Sequence, residues 1–402
     1  MPFNVDRIRE QFPSLAFGAA HFDGPGGTQT PKSVYQAIFD LLEGPVANQG
    51  TVTLAEQRAE DSVIGARSAM ADLLAADPSG IIFGRSMTAL TFDFARTLSQ
   101  DWKPGDEVVV SRLDHDANVR PWVRYAEKSG ATLRWIDFDP RTGHSDIADV
   151  EAVLSDRTKL VAITGASNLI GTRPDIPAIS KSVHAVGGLL YVDGVHLTPH
   201  AVVDVKALGA DFYGCSPYKF FGPHIGVMAA SPALLETLHP DKLLPSTEMV
   251  PERFELGTLP YELLIGITAA VDFIADMVPS TGSRRERIIT SMHAAEEHED
   301  ALSHRLREGL QSIDAVTIYS NARSKTPTEL FSIRDVNSEA AYEYFAKNNV
   351  NAPASNFYAL ECSRHLGLGD EGAIRAGLAP YNTADEIDRL LTCVDELAHR
   401  AY

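Results

Sequence analysis

Three cysteines, Cys215, Cys362 and Cys393, are all that 402 residues contain, and they stand far apart with no Cys-x-x-Cys pair. That spacing excludes a disulfide framework and a thiolate zinc site, and leaves three reduced thiols expected to pack. Basic charge is short as well: Lys plus Arg number 35 against 54 for Asp plus Glu, a formal charge of −19. Nucleic acids and anionic membrane surfaces need a basic face, so both are set aside as partners, while local pockets for small anions stay open. No apolar run is long enough to span a bilayer, and the best stretch, Gly266 to Val278, is broken by Asp272 and Asp276. The opening residues, MPFNVDRIREQF, carry charge where a secretory signal needs an apolar core, so the expectation is a cytoplasmic protein. Internal repeats and low-complexity segments are absent too.

What is present is ordinary globular composition, 44% hydrophobic and 22% charged, at a length that suits two lobes. Short β-rich runs alternate with helical patterns over the first two-thirds. The expected strands are 81–83, 107–110, 132–138, 160–164, 189–192, 211–215 and 226–229. Amphipathic helices are expected at 54–76, 88–100, 118–128 and 174–186. This alternation reads as α/β, a mostly parallel seven-stranded sheet covered on both faces. After about residue 255 the rhythm changes. Helices at 261–277 and 284–312, a strand-like run at 315–320, and helices at 338–348 and 384–398 suggest a smaller C-terminal α/β lobe. The division expected is 15–255 for the large lobe and 256–402 for the small one, with residues 1–14 packed on the latter.

In open α/β sheets ligands gather at the carboxyl ends of strands. The run LLYV ends in Asp193, and the run DFYGC ends in Ser216-Pro217-Tyr218-Lys219. One crossover separates them, so an acid and a lysine emerge side by side. For an isolated pair a plain salt bridge would be the better reading. Here SPYKFFGPHIG sets the lysine among aromatics and a Gly-Pro turn, an unusual setting for a solvated charge. An apolar pocket lowers a lysine's pKa and makes its amine nucleophilic toward a carbonyl.

These segments resemble the class V aminotransferase family of pyridoxal-phosphate enzymes of fold type I, best known for cysteine desulfurases and selenocysteine lyases, with kynureninase and isopenicillin-N epimerase as relatives. The resemblance runs from FDGPGGTQTP near residue 22 to IRAGLAPYNTADEIDRLL, with DHDANVRPW, VDGVHLTPH and SPYKFFGP in the family's order. It implies a pyridoxal phosphate cofactor in Schiff-base linkage to Lys219, with Asp193 paired to the ring nitrogen so that the ring can accept electrons. It further implies that His115 stacks on the ring and that Asn168 lies by its hydroxyl. His196 stands where desulfurases usually have glutamine, and Tyr218 where many have histidine. Ser86, Met87 and Thr88, in GRSMTALTF, lie where a strand turns into a helix, so free N–H groups and a hydroxyl can meet a phosphate. Ser216 adds a hydroxyl. Thr258, in RFELGT, matches a position that reaches the neighbouring subunit's phosphate, which implies a homodimer. Arg375 matches the family's carboxylate-binding arginine.

A desulfurase of this family needs a mobile cysteine shortly before that arginine. Counting back from Arg375 without gaps puts the position on Leu360, two residues from Cys362 in NFYALECSRHLG. Cys362 is therefore the candidate sulfur carrier, although the run reads as a helix in which Leu360, Cys362 and Leu366 can pack. The expected function is a pyridoxal-phosphate enzyme on a small amino acid, desulfurase-like or a C–S lyase. Epimerisation and transamination are the alternatives, and a non-catalytic relative is a remote one. TGASNLIGTR lacks the middle glycine of a dinucleotide fingerprint. His293, His298 and His304 do not share a helical face, so they read as a solvated face, and no metal is expected.

Overall fold

The computed structural model describes residues 3–400. Thirteen strands occur among them: β1 (Ala20–His21), β2 (Ile81–Gly84), β3 (Glu107–Ser111), β4 (Thr132–Ile136), β5 (Thr158–Thr164), β6 (Leu189–Asp193), β7 (Phe212–Cys215), β8 (Gly226–Ala230), β9 (Val316–Ile318), β10 (Thr328–Ile333), β11 (Val350–Asn351), β12 (Ala354–Ser355) and β13 (Ala373–Gly377). Seven form one sheet in the order β2-β8-β7-β6-β5-β3-β4, parallel throughout except that β8 runs against both its neighbours. Its central strands are buried end to end, as sheets covered by helices on both faces require. Only the edge strand β4 alternates in exposure. The first helices expected are found, at Leu54–Leu74, Met87–Leu98, Arg120–Ser129 and Ile176–Ala185. The long helix Leu54–Leu74 starts on a capping box in which Thr53 and Glu56 satisfy each other's backbone N–H groups.

The second sheet, ordered β12-β13-β10-β9, is antiparallel and belongs to the smaller lobe. Its core gathers Leu306, Phe331, Phe345, Ile374 and Leu390 around Ala20 and Phe22. The expected division of the chain does not follow the packing. Helix Tyr261–Ala275 buries Leu264, Ile267, Val271 and Ile274 in the core of the large sheet, because those residues recur three and four apart on one face. Ile8 and Phe12 join the same core, with Phe12 edge-on to Phe221, Phe273 and Tyr381. The large lobe therefore claims the N-terminal helix as well. Helix Arg284–Gln311 straddles the division: Ile288, Met292 and Ala295 face the large core, while Leu302, Leu306 and Leu310 face the small one.

The chain crosses between the lobes at residues 23–28. Phe22 sits in the small-lobe core and its carbonyl accepts from Gly377, while Thr28 donates its backbone N–H to Tyr218 and its hydroxyl oxygen accepts from Phe221. Close backbone contact also fixes the start of helix Met87–Leu98, since Gly226 of β8 lies directly against Ser86 and Met87. A Cβ there would collide with their backbone. Gly226→Ala is expected to lower stability by about 1–3 kcal/mol, as overpacking does. A thermal melt at the wild-type temperature would show that the backbone yields without cost.

Candidate active site

The carboxyl ends of β5, β6 and β7, the start of helix Met87–Leu98 and the small-lobe residues 353–358 enclose a cavity of about 730 Å³. Eleven of the residues singled out above line it: Ser86, Met87, Thr88, His115, Asn168, Asp193, His196, Ser216, Tyr218, Lys219 and Arg375. Two do not. Thr258 is exposed and lies outside the cavity of its own chain. Cys362 is fully buried on the short helix Leu360–His365, packed with Leu113, Phe138, Leu330 and Ala373, and burial pushes its thiol well above the usual range. The position reached by counting back, Leu360, opens that helix and does not line the cavity either.

Asp193 ends β6, and Lys219 follows β7 by one tight turn, so adjacent strands deliver both groups to the same edge. Loss of hydration lowers the Lys219 amine to about 7, aided by nearby Arg375 and opposed by Asp23 and Asp193. Its Nζ donates to the Pro25 carbonyl and sits 4.9 Å from the Tyr218 ring centre. The same dryness raises Asp193 to about 6, against the Val195 N–H donated to Oδ1 at 2.9 Å and the attraction of Lys219.

His115 is held down to about 4 by burial and by the charges of Lys219 and Arg375. Its Nδ1 accepts from the Ala117 N–H at 3.0 Å, so the neutral ring carries its proton on Nε2. The ring stacks on Tyr358, centres 5.6 Å apart. His196 is buried and kept neutral, its Nε2 3.1 Å from the Thr328 hydroxyl and 2.9 Å from that of Thr326. Asn168 donates Nδ2 to the Phe357 carbonyl at 3.0 Å, while its Oδ1 is buried without a partner. At the start of helix Met87–Leu98 the Ser86 hydroxyl accepts from Ala89 at 3.1 Å, capping the helix and leaving earlier N–H groups turned to the cavity.

Arg375, on β13, is 1% exposed. One Nη donates to Asp23 Oδ1 at 2.8 Å, the other to the Asn168 carbonyl at 2.9 Å, and the guanidinium lies 3.7 Å from the Phe357 ring centre. Its Nε has no partner. Burial lowers this arginine to about 10 against the pull of Asp23. A buried charged donor left unpaired costs free energy, and this one is closed off from solvent as well. Asp23, Pro25, Arg120, Phe357 and Tyr358 also line the cavity and were missed by sequence reasoning. Asp23 lay in plain view inside FDGPGGTQTP; the two aromatics carry no signal at all, because they enter the site through left-handed backbone at φ 50° and 60°.

The family model for aminotransferase class V matches residues 20–390. The chain belongs to the class V aminotransferase family. It is 32% identical over 400 residues to a Mycobacterium tuberculosis protein named uncharacterized protein MT3887, covering 99% of this chain and 100% of that one. It is 31% identical over 412 residues to the aminotransferase-like protein FGM3 of Gibberella zeae, covering 98% of each. The solved apo cysteine desulfurase of Thermococcus onnurineus superposes with a TM-score of 0.90 at 26% identity, covering 98% of both chains. Class V enzymes depend on pyridoxal phosphate, and this chain is such an enzyme, desulfurase-like in family and fold.

The donor set of this class V site fits that cofactor. A helix N-terminus with unpaired N–H groups suits a phosphate, a buried acid one strand from a buried lysine suits a ring nitrogen and an aldehyde, and the orphan Asn168 Oδ1 awaits a donor. His298, read from sequence as part of a solvated face, is half-buried: its Nε2 is 3.0 Å from the Asn382 carbonyl and its ring stacks on Phe3. Because Lys219 titrates near 7, its neutral amine is populated about three pH units lower than an ordinary lysine's. In the cofactor-free protein a lysine-selective acylating reagent should label Lys219 first, at a rate rising through pH 7 and levelling above it. A rate still climbing towards pH 10 would show an ordinary, solvated amine.

Proposed function

We propose that this enzyme removes the Cα proton of a small amino acid and expels its β-substituent, as a carbon–sulfur lyase does. The observation that carries this reading is the company Lys219 keeps. An amine of lowered basicity, an acid one strand away and an arginine with an unpaired donor share one cavity, and none of the residues lining it is cysteine. In this reading Lys219 is the covalent attachment point, Asp193 faces the ring nitrogen, and His115 lies against the ring. Asn168 and His196 attend the ring hydroxyl, and Ser86, Met87, Thr88, Ser216 and the hydroxyl of Tyr218 surround the phosphate end. Bound pyridoxal phosphate supplies an electron sink that acidifies the substrate Cα–H.

Arg375 then grips the α-carboxylate and sets which Cα bond points at Lys219. Displaced by the substrate amine, Lys219 is free to take the Cα proton on Nζ, and a pKa near 7 suits a base working at neutral pH. The neutral His115 and His196 add no positive charge that would hold Lys219 further down. With L-cysteine the balance is cysteine plus water to pyruvate, sulfide and ammonia. Likeness to a structure described as a cysteine desulfurase supports sulfur chemistry, and the burial of Cys362 argues against a protein persulfide.

We infer as well that the enzyme is a homodimer in which Thr258 serves the neighbouring cavity. Its exposure outside its own cavity supports this, as do Tyr35, Phe39 and Leu42, which leave one face of helix Lys32–Glu43 apolar and exposed. The three unpaired, buried cysteines suit a reducing compartment, and we place the enzyme in the cytoplasm.

Incubation with L-cysteine, with sulfide, alanine and pyruvate assayed together, should give pyruvate and sulfide in equal amounts, unchanged in Cys362→Ser. Alanine with a persulfide on Cys362 would replace the lyase by a desulfurase. Lys219→Ala should lose activity by about 10²- to 10⁴-fold, the usual worth of a positioned base, and the cofactor's bound absorbance with it. Sedimentation at working concentration should give twice the chain mass of 43.6 kDa. A fully active monomer would refute the shared site.

A further inference from the structure

Of the charged groups lining the cavity that the scheme above leaves out, Asp23 is the one paired with Arg375. Asp23 belongs to the turn that crosses between the lobes, two residues before the Pro25 carbonyl that accepts from Lys219 Nζ. Its Oδ1 holds one Nη of Arg375 at 2.8 Å, yet a third of the side chain remains exposed, and the residue lines the cavity. Gly26 lies directly beneath both carboxylate oxygens, where any Cβ would meet them. Gly26 and Gly27 close the turn by donating to the Asp23 carbonyl, and the turn is tied to the small lobe through Gly377 on the Phe22 carbonyl and to the large lobe through Thr28 on Tyr218. The acid therefore pairs with the arginine, and its charge is felt at the lysine amine.

An amino acid enters as a zwitterion. Its carboxylate needs a cation and its ammonium an anion about one Cα away. We propose that Asp23 is the second half of a zwitterion site: it receives the α-ammonium of the incoming amino acid while Arg375 receives the α-carboxylate, selecting amino acids over carboxylic acids of the same size. The assignment rests on the carboxylate role of Arg375 proposed above. Two features support it over a merely structural salt bridge. Asp23 lines the cavity and keeps a third of its side chain exposed after pairing, and Arg375 is already held by the Asn168 carbonyl and the Phe357 ring without it. Asp23 is a recognition residue, and the chemistry remains with Lys219.

The test compares L-alanine with propionate, which lacks only the amino group, by calorimetry on the holoenzyme. In Asp23→Asn, alanine should bind about tenfold more weakly, the worth of one charge-assisted hydrogen bond, while propionate keeps its affinity. Retained propionate binding also reports that the variant is folded and that Arg375 is in place. Asp23→Glu should restore the preference for alanine in part. Equal losses for both ligands would overturn the proposal by reducing Asp23 to an orienting partner of Arg375. Unchanged or tighter alanine binding would overturn it by making Asp23 a bystander or a competitor. If the wild-type enzyme fails to bind propionate and Arg375→Lys leaves alanine affinity intact, the carboxylate role of Arg375 falls, an outcome distinct from a failure at Asp23.

Discussion

Two cations, Lys219 and Arg375, are taken out of water side by side, and much of the site's construction answers that cost. Each loses hydration, and the charge of Arg375 lowers the proton affinity of Lys219 further. Buried charges of like sign persist only when anions and oriented dipoles offset them. Asp193 and Asp23 supply the anions, and the carbonyls of Pro25 and Asn168 supply the dipoles. The balance is incomplete. Lys219 ends near neutral pH, which leaves it able to exchange a proton, and Arg375 keeps a buried donor without a partner.

That balance explains why the site needs both lobes. Lys219 and Asp193 arrive on neighbouring parallel strands of the large sheet, which place successive strand ends on one edge. Arg375 arrives on the central part of the small sheet, and Asp23 on the turn between them. The helix Arg284–Gln311 buries one end in each core, so the two lobes cannot drift apart without exposing apolar surface from both. The packing that stabilises the fold thereby also fixes the spacing of the charges.

The large sheet was legible in the sequence because its strands are buried on both faces and read as apolar runs, LLYV and DFYGC among them. Their ends carried the chemistry: position brought Asp193 and Lys219 together, and the aromatic setting of the lysine in SPYKFFGPHIG set the pair apart from a plain salt bridge. The small sheet hid. Strand β13, Ala-Ile-Arg-Ala-Gly, is fully buried yet places an arginine at its centre, and β10 buries Glu329 between Arg307 and Lys325. A charge in a buried strand looks like a surface position until its partner, which may be far away in sequence, is known; Arg375 was found through its motif and not through its strand. The lobe boundary was missed for a related reason. An amphipathic helix announces that it has an apolar face, but not which core that face joins.

A persulfide relay needs a thiol that can swing into the cavity, and the segment before Arg375 is built the opposite way. The Tyr358 carbonyl accepts from the Asp116 N–H at 2.7 Å, and the Phe357 carbonyl from Asn168. Glu361 takes Arg120 at 2.5 Å, while Phe357 lies on Arg375 and Tyr358 on His115. Two consecutive non-glycine residues in left-handed backbone cost of order 1–3 kcal/mol each and persist only where surrounding contacts over-determine them. Those contacts are present here, and the segment forms a fixed aromatic wall with its one cysteine packed behind it. A wall of this kind can orient a substrate, but it cannot carry sulfur on its cysteine, and the proposed lyase chemistry, which releases sulfide to solvent, asks for no such carrier.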